Sequence, residues 1–193
     1  HVLLAQDPKT RRGYPETVMR ERWPMAFAYL CRFREELLRR ALYRKYHEDA
    51  GNPFYSQFNI AVETFSAVKV MWKRMSNDLV AAVVSDWEGP LGHKRTIPLE
   101  TTAFIPAGSA AEAHYLCAVL NSRPVREFVA SFSAAGRGFG TPSVIRHIRL
   151  PRFDAGNPVH RELSEISEER HREGVDDAFS QARLPGRIAY EPL

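Results

Sequence analysis

The stretch from Ser109 to Asp154 constrains the chain most, because its helix, turn and loop signals follow one another with little room for another arrangement. Ser109 and Glu112 form a capping box, in which the serine oxygen and the glutamate each satisfy a backbone amide left unpaired at a helix start. The spacing predicts a helix from Ala110 to Leu120 that buries Ala113, Leu116, Cys117 and Leu120, with Glu112 and Tyr115 at the margins of that face. Pro124 suits the first turn of a second helix, where its missing amide costs nothing, and Val125, Phe128, Val129 and Phe132 give that helix an apolar side. Gly136, Gly138 and Gly140 then allow positive φ angles and close approach to another molecule. Beyond them Val144, Ile145, Ile148 and Leu150 are interleaved with Arg146, His147 and Arg149, which predicts a basic strand leading through Pro151 to Arg152. Arg137 on a glycine loop beside such a strand suits a polyanion. The same residues equally suit a surface hairpin with solvated charges.

At 193 residues the chain is long enough to bury about 70% of its unfolded surface in a core that needs no staples. Two cysteines, Cys31 and Cys117, fall on apolar helix faces, which implies free thiols in a reducing compartment and a cytoplasmic protein. No apolar run approaches the roughly 18 residues of a membrane span, and no signal peptide is visible. The first residue is His1 and not methionine, which suggests a piece of a longer protein. The net charge of +4 hides an asymmetry: 22 basic and 15 acidic residues precede Arg161, a net +7, and 5 basic and 8 acidic residues follow from there. A basic body with an acidic tail favours a polyanionic partner.

Residues 1–23 read as a polar lead-in, and 24–46 as one long helix with Phe27, Leu30, Cys31, Leu37, Leu38 and Ala41 on one side. Its other side carries Arg32, Arg34, Arg39, Arg40, Arg44 and Lys45, suited to phosphates, to solvent or to an acidic neighbour. Strands are expected at Phe65–Met71, with Lys69 projecting and Trp72 in the core, at Leu79–Val84, and in short pieces at Arg95–Pro98 and Thr102–Pro106. WEGPLGHK, residues 87–94, reads as a loop. A charged helix from Pro158 to about Glu173 should turn Leu163, Ile166 and His160 inward. The fold class is therefore α+β, a twisted mixed or antiparallel sheet packed with helices, with one domain over 24–154 and a helix and tail over 155–193.

Catalytic constellations are not apparent. His114 and Cys117 have a metal-like spacing, but a tetrahedral site needs further ligands and Cys117 belongs to an apolar face. The loop from Gly136 to Gly140 lacks the lysine and serine or threonine of a nucleotide phosphate loop. Asn52-Pro53-Phe54-Tyr55 is similar to the Asn-Pro-Pro-aromatic motif of amino-methylating methyltransferases, yet Phe54 replaces its second proline, and no glycine-rich cofactor turn follows a strand. It reads as a loop, and this chain alone as non-catalytic, without a cofactor or metal of its own.

Taken in order, PMAFAYLCRFREELLRR, NPFYSQFNIAVETFSAVKVMWKRM, AAVV, SAAEAHYLCAVLNSRPV, IRHIRLPRFD and NPVHRELSEISEERH resemble the C-terminal part of large bacterial DNA adenine methyltransferases of restriction-modification and related phage-defence systems. The resemblance covers about residues 15–173 and rests on the order of the segments more than on any one. It implies a target-recognition domain that reads double-stranded DNA, while S-adenosylmethionine binding and methyl transfer belong to an upstream methyltransferase domain. The DNA contacts expected on this basis are Lys69, Lys73, Arg74, Lys94, Arg95, Arg137, Thr141, Ser143, Arg146 and Arg149. A protein-interaction or interdomain module of the same kind of complex is the alternative.

Overall fold

The computed structural model describes residues 2–76, 78–90, 92–132, 141 and 145–173, and divides the chain into two compact units at Phe65 and Ser66. Residues 1–23 are thus not a separate lead-in, and Pro158–Arg172 belongs to the second unit. The α+β class holds: helices pack with small antiparallel sheets.

In the first unit a two-residue hairpin, β1 (Gln6–Asp7) with β2 (Arg12–Gly13), precedes α1 (Glu16–Arg22) and α2 (Pro24–Cys31). Ala5, Met19, Phe27, Leu30, Phe54 and Tyr55 form the core. The expected long helix over 24–46 is broken. After α2 come α3 (Arg34–Leu38), a single turn α4 (Ala41–Tyr43) and a π-helical turn, Arg44–Glu48. Arg40 is the cause at the second break: its backbone is extended, its Nε donates to Leu37 O at 2.9 Å, and its Nη2 donates to Phe54 O at 2.8 Å and Ser56 O at 2.9 Å. Charge-assisted hydrogen bonds of this kind outweigh the neutral helical bond they replace.

The second unit is built on a three-stranded antiparallel sheet in the order β4 (Ala81–Ser85), β3 (Val68–Lys73), β7 (Thr102–Ala107). Alternation turns Val68, Val70 and Trp72 with Ala81, Val83, Ala103 and Ile105 into the core, so Trp72 is a core residue as expected. Over this face lies α5 (Ala110–Asn121), capped by Ser109 Oγ, which accepts from Glu112 N at 3.1 Å, while Glu112 Oε2 accepts from Gly108 N at 2.7 Å. Helix α7 (Pro158–Arg172), capped by Asn157, packs on the outer side of α5. Ala113 through Asn121 are all buried as a result, Tyr115 included, which corrects its expected place at the margin. Helix α6 (Arg123–Phe132) follows α5 in the chain and packs against it.

Each sheet edge is interrupted. Asn121 reaches the β4 edge, accepting from Ala81 N at 2.8 Å and donating to Ala81 O at 2.7 Å, and Thr96 Oγ1 donates to Ser85 O at 2.8 Å. On the outer edge of β7, Pro106 has no N–H to offer. Residues 87–94 are not an open loop but a hairpin, β5 (Trp87–Gly89) with β6 (Gly92–Lys94), in which Gly92 has a φ of 76° that favours glycine. Residues 95–98 form no strand.

Candidate nucleic-acid interface

The segment from Ile145 to Phe153 hangs on the core at intervals. Ile145 is buried, and Ile148, Leu150 and Phe153 pack against the core that contains Tyr115, Val125 and Val129. Ile148 N donates to Ile145 O at 2.9 Å, closing a turn. Tyr115 Oη donates to Pro151 O at 3.2 Å, and Asp154 N donates to His160 Nδ1 at 3.0 Å. The segment is therefore a turn and an irregular run, which corrects the expected basic strand. Its arginines recur every three residues. Arg146, Arg149 and Arg152 face solvent, as do His147 and Pro151, while Ile145, Ile148, Leu150 and Phe153 hold the segment down.

Those arginines have no carboxylate within ion-pair distance among the described residues. Other cations of the unit do: Arg126 pairs with Asp78, Arg123 Nε with Glu127 at 2.7 Å, Arg95 Nε with Asp86 at 3.2 Å, and Arg172 Nη2 with Glu168 at 3.0 Å. A cavity of about 320 Å³ is lined by Asp78, Arg123, Arg126, Glu127 and Ala130, and its charges balance, so it has no built-in preference for an anion. Among the described residues, the 145–153 segment carries three exposed arginines with no such balance.

The residues expected to touch DNA fall into several groups. Lys69 is 0% exposed, and its ammonium donates to Ser66 O and to Thr96 O, the latter at 2.9 Å. Burial pushes its pKa below the ordinary lysine value, against the pull of Asp86, and no surface contact is open to it. Arg74 is half-buried and clips Glu100 O at 3.1 Å, tying the end of β3 to the turn before β7. Arg95 serves Asp86. Lys73, at the end of β3, and Lys94, at the end of β6, are exposed, and no contact among the described residues joins them to the arginine segment. Thr141 is half-buried, its carbonyl accepting from Ile145 N at 3.3 Å. Arg137 and Ser143 lie outside the described residues. Arg152 is the residue that sequence reasoning missed, and its signal was the Arg146-x-x-Arg149-x-x-Arg152 spacing.

Elsewhere, motif-like residues have structural partners. Asn52 faces His47 Nδ1 at 3.0 Å and its carbonyl accepts from Tyr43 Oη at 2.8 Å, while Arg40 takes the Phe54 and Ser56 carbonyls. Such a loop is a clamp within its unit, as its reading as a loop requires. His114 Nδ1 faces Ser167 Oγ at 3.2 Å, whereas Cys117 Sγ donates to Ala81 O at 3.3 Å, so the two residues serve different contacts. Among the described residues no helix is long and apolar enough to cross a membrane.

No protein-family model, curated protein or solved structure matches the chain.

Proposed function

We propose that this chain binds double-stranded DNA as the target-recognition part of a site-specific DNA adenine methyltransferase, in a reducing cytoplasm. The supporting observation is the exposed row of Arg146, Arg149 and Arg152, which meets no carboxylate among the described residues and is anchored by Ile145, Ile148 and the Tyr115 to Pro151 hydrogen bond. Guanidinium groups held in this way suit phosphate oxygens or guanine edges. The restriction to adenine methyltransferases rests on the resemblance in segment order, and in this reading S-adenosylmethionine and the methyl transfer belong to another domain. Lys73 and Lys94 add two further exposed cations.

Fluorescence anisotropy with a random-sequence duplex, titrated from about 50 to 200 mM salt, tests it. Five cations on phosphates give a slope of about −4 to −5 in log affinity against log salt. A chain that stays unbound at the low-salt end refutes DNA binding by this part alone.

One observation favours a second reading, a protein-interaction module. Helix α2 is apolar on two sides, and beside its buried Phe27 and Leu30 it carries Met25 (83% exposed), Tyr29 (52%) and, at the following turn, Phe33 (40%). Salt-insensitive association that disappears in a Met25→Ser/Tyr29→Ser variant, with no DNA binding, would select that reading.

A further inference from the structure

The β5–β6 hairpin contains a charge arrangement that its role as a turn does not explain. His93 lies between two carboxylates: Nδ1 is 2.5 Å from Glu88 Oε1, and Nε2 is 3.0 Å from Asp86 Oδ2. Asp86 Oδ2 also accepts from Arg95 Nε at 3.2 Å, and Asp86 attracts the buried Lys69 ammonium. A neutral imidazole has one N–H, so one of its nitrogens would turn a lone pair towards an anionic oxygen. Only the imidazolium donates to both.

The hairpin it braces is narrow and carries cationic and aromatic groups at its base. Trp87 is the register partner of Lys94, and the two exposed side chains close the end of the hairpin nearest the sheet. The Trp87 ring lies against Gly89, where a Cβ would overlap it. Glu88 pairs in register with His93, so the carboxylate to imidazolium contact joins the two strands of the hairpin, while Asp86 joins the hairpin to β4.

We propose that protonated His93 is a latch that holds the β5–β6 hairpin closed and positions Lys94, so that the hairpin grips the phosphate backbone more tightly in mildly acidic than in alkaline solution. The gripping half rests on the DNA reading above, whereas the latch itself does not. The groups that set its titration are Glu88 on β5 and Asp86 before it, and the charged groups around them are Arg95 and the buried Lys69, which both face Asp86, and Lys94, next to His93 in the strand. The hydrogen bond to Glu88 is the largest effect; desolvation, second in size, opposes it, and the charges of Glu88 and Asp86 with the hydrogen bond to Asp86 add to it, so that the imidazole is raised above its ordinary value. A raised value in the folded hairpin means that the stabilisation is fully present below about pH 6.5 and is lost as pH rises through the folded midpoint.

Ring-nitrogen NMR of the 15N-labelled chain between pH 5.5 and 8.5 tests the latch, alongside hydrogen-exchange protection of the hairpin amides corrected for intrinsic rates. The expected midpoint for His93 lies above about 6.5, falls in Glu88→Gln, and coincides with a loss of hairpin protection that His93→Gln does not show. A midpoint at or below the free value, or hairpin protection indifferent to it, overturns the latch. Duplex affinity is then followed over the same range: loss of one phosphate contact predicts a decline of about tenfold at 0.1 M salt in the parent chain and a flatter profile in His93→Gln. Identical pH profiles in the two overturn the coupling. If no duplex binds at any pH while the latch titrates as expected, the DNA reading fails and the latch stands.

Discussion

Arginines of the first unit that are tied to rings, carboxylates and carbonyls contrast with one row of arginines in the second unit. In the first, Arg20 lies over Phe27 at 4.6 Å and pairs with Glu16, Arg34 lies over Phe54 at 4.5 Å and also pairs with Glu16, and Arg39 pairs with Glu35. Arg40 caps three backbone carbonyls. In the second, Arg146, Arg149 and Arg152 are exposed and make no ion pair among the described residues, on a segment whose Ile145 is buried and whose Ile148, Leu150 and Phe153 are half-buried. Of the cations on the basic side of residues 24–46, Arg34, Arg39 and Arg40 are thus engaged within the unit, whereas Arg32 and Arg44 stay exposed. What locates a candidate site is how each cation is satisfied, and the net charge of a stretch does not reveal it.

The sharpest way to break this comparison is the triple variant Arg146→Gln/Arg149→Gln/Arg152→Gln. If the three guanidiniums meet phosphates, duplex affinity at 0.1 M salt falls by about 10²- to 10³-fold and the salt slope becomes shallower by about 2.7. Thermal stability should hardly change, since surface substitutions away from caps and cores stay within about 0.5 kcal/mol. A lowered melting temperature with unaltered DNA binding would reverse the assignment and make this segment structural.

Arg40→Met is the mirror experiment in the first unit. It removes hydrogen bonds to Leu37, Phe54 and Ser56 carbonyls, and with charge-assisted bonds at about 1.5 to 3 kcal/mol each, partly replaced by water, the net loss is about 3 kcal/mol. Denaturant unfolding should shift to a lower midpoint while the salt slope of DNA binding at a temperature where the chain is folded stays the same. If the slope changes by a full contact, the cations of the first unit take part in binding and the contrast between the units is wrong.

Arg40 and Arg152 also show why some of the molecule was legible in the sequence and some was not. The start of α5 was readable because Ser109 and Glu112 cap it within four residues, and α7 because Leu163 and Ile166 recur at helical spacing after Pro158. The break at Arg40 depends on carbonyls 14 and 16 positions away, and no periodicity within 24–46 contains them. The period of three that exposes Arg152 depends on Tyr115 fixing Pro151 from 36 positions away, so the alternation of Ile and Arg suggested a strand instead. Lys69 followed the same rule. A lysine on a strand reads as a surface charge until Thr96, 27 positions on, supplies an acceptor.

Lys69→Met therefore separates strand position from availability. The methionine fills similar length but leaves two carbonyls without a donor, and the expected cost is about 1 to 3 kcal/mol, read as a lower unfolding midpoint. DNA affinity and its salt slope should be those of the parent chain. A slope shallower by about 0.9 would mean that Lys69 leaves its buried place to meet a phosphate, and would restore it to the interface.

The smallest effect compares the units through their buried histidines. His47 in the first unit and His114 in the second are both buried, and desolvation foremost holds each below the ordinary imidazole value, with Arg40 adding to the effect at His47 and His171 and Arg172 at His114. A depressed value in the folded state means that the unfolded chain takes up the proton more readily. Each histidine thus contributes stability that is present above about pH 6.5 and is lost as pH falls through its folded value. Melting temperature should decline from pH 7 towards pH 5, and His114→Gln, which keeps a polar partner for Ser167 without an imidazole to protonate, should flatten the part of that decline that belongs to the second unit. His93 has the opposite sign, so over the same range the hairpin amides should become better protected while the core weakens. If core and hairpin move together, one of the two histidine environments is not as described, and the ring midpoints of His93 and His114 identify which.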